Sequence, residues 1–294
     1  MTVLSISSVG PHNFPLCVRA AKSFSPDPHQ DFSVLRSAVR IHGRPTVLEM
    51  RQVGHEPATI EIRTTLSDSA SEIKQVAGKI IFADLDLNPF YRMASTHPIL
   101  GPIIQKLQGL KPMRPASSFE MLVIAITEQQ ISLAAAYRIR MKITERFGDQ
   151  VDGLWAFPTP QRLRVRSVAH LMTCGLSRRK AEYVKGLSAM VADNVLNLDR
   201  LETMPDEDVR TLLLQVRGLG PWSVEYFLVR GLSRPDRVPA EDIGLRSIVG
   251  RHLARGQRLT PQGIMRKLSP FKPYRGLAAF YMLAHERLSK SSAQ

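Results

Sequence analysis

Two cysteines in 294 residues, Cys17 and Cys174, are too few for a four-thiolate zinc site, an iron–sulfur cluster or a disulfide framework, so both are expected as free structural thiols. No uninterrupted apolar run reaches the roughly 18 residues that a membrane helix needs. The amino terminus, "MTVLSISSVGPHNF", has no basic stretch ahead of a long apolar one. No membrane association is expected, and the default compartment is the cytoplasm, on the nucleoid in a prokaryote. A histidine–carboxylate constellation is lacking: His42, His55, His252 and His285 stand singly and no HExxH occurs. Fixed-period repeats and low-complexity segments are also missing. Acidic residues are in deficit, 26 against 40 basic ones, giving a net charge of +14 that points to a polyanionic partner. With 44% hydrophobic and 22% charged residues the chain is a folded one, long enough for two or three cores.

Between Phe32 and Thr65 the polarity alternates. In "ATIEIRT" Ile60 and Ile62 share one face while Glu61 and Arg63 share the other, and "TVLEMRQV" reads alike, so strands are expected. A helix follows near "SASEIKQVAGKIIFADLDL", which makes residues 1–87 a small N-terminal α+β domain. Proline and glycine punctuate "HPILGPIIQKLQGLKPMRPAS", a connector with one short helix. From Ser117 onward the period is helical. Ser117 and Glu120 make a capping box ahead of "FEMLVIAITEQQISLAAAYRIRMKITERFG", a run that Gly148 ends. Further helices are expected near 160–173, 177–193, 206–215, 221–232, 243–254, 260–268 and 274–288. No strand pattern interrupts them, so residues 88–294 are expected to be a mainly α region of two helical subdomains, without a sheet.

One stretch stands out, "VRGLGPWSVEYFLVR", inside a helical hairpin expected at about 206–232. Asp206 and Glu207 suit a first helical turn, and Pro221 suits the first position of the next helix. Gly218 and Gly220 permit positive φ and strip away side chains, so turn amides and a helix N-terminus can face a phosphate. A plain helical corner is the alternative. The spacing is not that of a dinucleotide-binding fold or a P-loop. Downstream, "SRPDRVPAEDIGLRSIVGRHL" places Asp242 just before a helix: an N-cap, or a carboxylate fixed at a helix mouth for chemistry. Arg178, Arg179, Lys180 and Lys185 are candidates for neutralising phosphates or for a solvated face. Arg246, one turn past Asp242, is a candidate for a phosphate or for a carboxylate partner.

The order of these segments resembles the HhH-GPD superfamily of DNA base-excision glycosylases: "VRGLGPWSVEYFLVRG" as the hairpin, then "PAEDIGLR" as the loop with its aspartate. Three others, "LDLNPFYRMASTHPILGPII", "FEMLVIAITEQQIS" and "FKPYRGLAAFYML", resemble the DNA-3-methyladenine glycosylase II branch, over about Leu85 to His285. The resemblance implies a helical glycosylase bundle preceded by a small α+β unit. It makes Asp242 the catalytic aspartate, Trp222, Tyr226 and Tyr274 the aromatics of the base pocket, and Gln130 the wedge that fills the gap left by an extruded nucleotide. It puts Trp222 where lyase-active relatives have a Schiff-base lysine, which implies a monofunctional hydrolase. It also implies DNA contacts at Gly218 and Gly220, and a Na+ or K+ held by the carbonyls of Leu214, Val216 and Leu219, with no other cofactor.

The chemistry agrees with that picture. Cleaving an N-glycosidic bond builds positive charge on the sugar, which a nearby carboxylate stabilises. A base alkylated like 3-methyladenine or 7-methylguanine already carries positive charge, leaves without a strong general acid, and is attracted to aromatic faces. The target lies inside a duplex and must be flipped out. The expected protein is a monomeric glycosylase acting on damaged double-stranded DNA in base excision repair. The alternatives are a non-catalytic helix-hairpin-helix DNA-binding protein, or a glycosylase for deaminated or oxidised purines.

Overall fold

Alternating polarity at the amino-terminal end produces four strands, β1 (Thr2–Ser7), β2 (Val34–Ile41), β3 (Arg44–His55) and β4 (Ala58–Thr64), in the order β1-β4-β3-β2, with every neighbouring pair antiparallel. The computed structural model describes residues 1–22, 31–55 and 57–291. Ile60 and Ile62 point inward, fully buried, while on the opposite face Glu61 accepts from its cross-strand neighbour Arg51 and from Arg63, each Nε at 2.8 Å. Helices α1 (Phe14–Ala21) and α2 (Ala70–Ile80) pack on the sheet, and α3 (Asn88–Ala94) and α4 (Leu100–Lys106) follow in the connector.

The rest is mainly helical: α5 (Ser118–Thr127), α6 (Leu133–Phe147), α7 (Pro160–Arg164), α8 (Val168–Met172), α9 (Arg178–Ala192), α10 (Asp206–Leu214), α11 (Pro221–Arg230), α12 (Ile243–Leu253), α13 (Pro261–Leu268) and α14 (Arg275–Ser291). Side-chain caps explain why so many short helices start where they do. Ser117, Ser132, Thr159, Ser167, Ser177, Asp242 and Thr260 each accept an N–H from the first turn that follows.

Three expectations are corrected. The run from Ser118 to Gly148 is two helices, because Gln130 adopts φ 54 and Ser132 caps a second start. The helix expected over 160–173 likewise divides into α7 and α8, with Ser167 capping the second. The helical region also contains a two-stranded sheet, β5 (Asp149–Val151) against β6 (Leu154–Ala156). Its turn is Asp152–Gly153 at φ 47 and 77, the Asp-Gly pair that a tight hairpin favours. The hairpin packs beside β2, where Arg40 donates to Asp149 and Arg162 pairs with the same carboxylate.

Apolar side chains gather in two clusters. One joins the sheet and α1–α4 to α12–α14, from Phe14 and Ile60 through Phe90 to Leu245, Val249 and Tyr281. The other is built by α5–α11, with Phe119, Leu122, Leu187, Val224, Phe227 and Leu228 at its centre. The chain crosses between them in the loop from Leu232 to Val238, so α11 rests on one cluster and α12 on the other. Both cysteines are buried and free, as expected.

Candidate active site

Gly218 and Gly220 serve different ends in the turn between α10 and α11. Gly218 sits at φ +100, and a Cβ there would stand 2.4 Å from Cγ of Tyr183, so both the conformation and the close ring demand glycine. Gly220 is extended, at φ −97 and ψ 179, and a Cβ on it would meet nothing within 4 Å. The space above Gly220 is open to a ligand. Pro221 then starts α11, whose first in-helix donor is Val224, bonded to the Gly220 carbonyl at 3.0 Å. Its end is a place for an anion.

Asp242 caps α12 and does more. Its Oδ1 accepts the Leu245 N–H at 2.7 Å, and its Oδ2 accepts the indole N–H of Trp222 at 3.0 Å. The carboxylate is thus held by one donor from its own helix, α12, and one from α11. In the first turn of α12, Gly244 leaves the group uncovered; a Cβ there would lie 3.3 Å from Oδ1. Trp222 and Tyr226, one helical turn apart, stack with centroids 5.0 Å apart and planes 15° from parallel. Beyond Tyr226 lie Glu128, Arg230 and Arg287. Burial pushes the Glu128 carboxyl up, and burial with the Glu128 charge pushes the Tyr226 hydroxyl up. A cleft of about 460 Å³ opens beside Trp222, lined among others by Glu225, Arg237, Glu241, Gln262 and Met265. On the far side, between α11 and α14, Arg230, Phe280, Leu283 and Arg287 line a cavity of about 20 Å³.

Asp242, Trp222 and Tyr226 therefore come together. The Tyr274 ring lies against Phe90, 6.1 Å between centroids, and has no ring contact with Trp222 or Tyr226 among the described residues. Gln130 is exposed at its positive φ in the break between α5 and α6. Arg246 turns back on the protein, donating to the Leu259 carbonyl at 3.4 Å. Lys180 faces inward, its Nζ bonded to the carbonyls of Thr127 at 2.9 Å and Gln129 at 2.6 Å. Arg179 reaches the Tyr183 hydroxyl at 3.1 Å, beside the hairpin. The carbonyl of Val216 accepts the Leu219 N–H at 3.0 Å. Sequence reasoning passed over Gln129, whose amide bonds the Gly218 carbonyl at 2.8 Å. A "QQ" pair names no partner, and only the fold brings that one near.

An open helix–hairpin–helix notch, with a carboxylate on the adjoining core held by the hairpin's own tryptophan, defines a class of DNA-directed repair proteins. The chain belongs to that class: residues 123–273, about half of its length, match the family described as HhH-GPD superfamily base excision DNA repair protein. It is 31% identical over 203 residues to the DNA-3-methyladenine glycosylase of Bacillus subtilis, covering 68% of this chain and 67% of that one. The chain spans about two thirds of the length of the relatives it matches. A solved 3-methyladenine DNA-glycosylase from Archaeoglobus fulgidus superposes with a TM-score of 0.84 at 25% identity, covering 97% of this chain and 98% of that one. The 3-methyladenine DNA glycosylase of Schizosaccharomyces pombe, solved with abasic DNA, shares the fold at a TM-score of 0.59 and 23% identity, over 66% of this chain and 95% of that one. Among the described residues no helix is long and apolar enough to cross a membrane.

Proposed function

We propose that this chain is a monofunctional DNA glycosylase that hydrolyses the N-glycosidic bond of alkylated bases, of the 3-methyladenine and 7-methylguanine type, in duplex DNA. The observation that carries the reading is the fixed carboxylate of Asp242, bonded to the indole of one member of a stacked aromatic pair. Base excision repair is the family's work, and the B. subtilis and A. fulgidus relatives are 3-methyladenine glycosylases.

In this reading the turn at Gly218–Gly220 grips a phosphate of the lesion strand, Gln130 occupies the gap left in the stack, and the extruded cationic base lies on the Trp222–Tyr226 faces. Such contacts contribute about 0.5–2 kcal/mol each. As the bond to the base lengthens, positive charge grows on the sugar. Asp242, already oriented by two donors, stabilises that charge without reorganising and aligns the attacking water. Trp222 carries no amine able to form a Schiff base with the sugar, which supports hydrolysis without strand cleavage. The carbonyls of Leu214, Val216 and Leu219 are neutral oxygen donors of the kind that suit a hard cation. A bound Na+ or K+ would add positive charge behind the phosphate. Action as a monomer is part of the same proposal, because one lesion needs one site.

The test is release of free methylpurine from methylated duplex DNA by the parent chain and by Asp242→Asn. The parent is expected to release base and the variant to lose at least 100-fold in rate while still binding DNA. Equal rates would remove Asp242 from the mechanism. DNA binding without base release by the parent from alkylated, deaminated or oxidised substrates would favour a non-catalytic binding protein.

A further inference from the structure

The break between α5 and α6 holds more than the exposed Gln130. Its neighbour Gln129 turns the other way. The carboxamide Nε2 donates to the Gly218 carbonyl at 2.8 Å and to Ser223 Oγ at 2.9 Å, and Ser223 is only 1% exposed. The 218–219 peptide is then pinned at both ends, because its N–H, on Leu219, donates to the Val216 carbonyl at 3.0 Å. Bonds to both its oxygen and its hydrogen restrain the orientation of that plane. From it the chain leads through Leu219 and Gly220 to the mouth of α11.

The same break is anchored from a third side. Lys180, on α9, crosses to the carboxyl end of α5 and bonds the carbonyls of Thr127 and Gln129. A cation at a helix C-terminus is well placed by charge as well as by hydrogen bonding. The residue immediately after this doubly held Gln129 is Gln130, exposed and in the left-handed region. The hairpin turn and the Gln130 tip thus share one side chain, with no flexible segment between them.

We propose that Gln129, braced by Lys180, is a positioning residue that couples the phosphate-gripping turn to the insertion of Gln130, so that the two engage DNA as one rigid unit. The inference rests on the glycosylase reading for the role of Gln130. Its consequence is that strand grip and nucleotide extrusion are not separable steps: a turn seated on phosphate already carries the Gln130 tip at the right height.

A double-mutant cycle tests this, using Gln129→Met, Gln130→Ala and the combination. The readout is affinity for a duplex bearing an abasic-site analogue, measured in the Asp242→Asn background so that no chemistry intervenes. Each single change is expected to weaken binding about 10-fold, and the pair to weaken it no more than either alone. A merely structural role for Gln129 predicts losses that multiply, about 100-fold together, and that result overturns the coupling. Parent-like affinity in Gln129→Met overturns it too. Should Gln129→Met fail to fold by circular dichroism, Ser223→Ala replaces it in the cycle, removing one of the two acceptors and leaving the glutamine in place; the same non-additivity is expected and simple multiplication overturns the proposal. The binding readout stands apart from base release, so a failure of the coupling and a failure of the glycosylase reading give different results.

Discussion

At the scale of single residues the indole N–H of Trp222 is the contact on which the site turns. A tryptophan opening a helix after two glycines is legible in the sequence as unusual, and the position of Asp242 before α12 is legible as a cap. That these two side chains bond each other, 20 residues apart, is not legible, because it depends on how two separate cores abut. Tyr274, just ahead of α14, is suggested as a pocket aromatic by its motif alone; its ring meets Phe90 of α3 and stays partly exposed. Replacing Trp222 with phenylalanine keeps a smaller aromatic ring beside Tyr226 and deletes the donor to Asp242. A hydrogen bond to a charged group contributes about 1.5–3 kcal/mol, so the single-turnover rate of base release should fall by about 10- to 100-fold. Affinity for an abasic-site duplex should change by less than about threefold. A rate equal to the parent's would show that Leu245 alone suffices to orient the carboxylate.

At the scale of elements, most helix starts could be read from Ser, Thr or Asp caps, and the strands from their alternation. The misses were punctuation of a quieter kind. Gln130 in the left-handed region broke a run whose apolar period continued across it, and Asp152–Gly153 made a hairpin too short for any periodicity to register. The glycines of the α10–α11 turn were read as a pair, yet the structure separates them. Gly218→Ala must be destabilising, since both the positive φ and the Tyr183 ring oppose a methyl group; a loss of about 1–3 kcal/mol is expected in denaturant unfolding. Gly220→Ala meets no protein atom and should leave stability within about 0.5 kcal/mol. Its methyl group stands where the phosphate is proposed to lie, so its DNA affinity should drop instead. If Gly220→Ala binds DNA like the parent, the phosphate does not sit over that residue.

At the scale of the whole molecule, the site lies on the seam between two apolar clusters, a place where ligand sites commonly form. Arg114 stitches the seam, donating to the Gly231 carbonyl and pairing with Glu202, which also meets Lys79 of α2. The sheet-side cluster encloses a polar knot in which fully buried Lys111 donates to Ser8 Oγ at 2.7 Å and to the Val9 carbonyl at 2.8 Å, while His12 Nδ1 lies 2.8 Å from the same hydroxyl. Burial, with the Lys111 charge beside it, pushes His12 down to about 3. An unfolded histidine titrates near 6.5, so between those two values the unfolded chain binds more protons than the folded one, and stability falls as pH is lowered. Its slope approaches ~1.4 kcal/mol per pH unit for one such group. Glu120 acts in the opposite sense: burial pushes it up to about 7, so the folded chain gains relative stability as pH falls through that range. Comparing the parent with His12→Gln cancels the Glu120 contribution, which both proteins share. Urea unfolding from pH 7 down to pH 5 should show a steeper loss of stability in the parent than in His12→Gln, the difference widening with each step. Parallel curves would mean that His12 is protonated within the fold, and that the polar knot is hydrated.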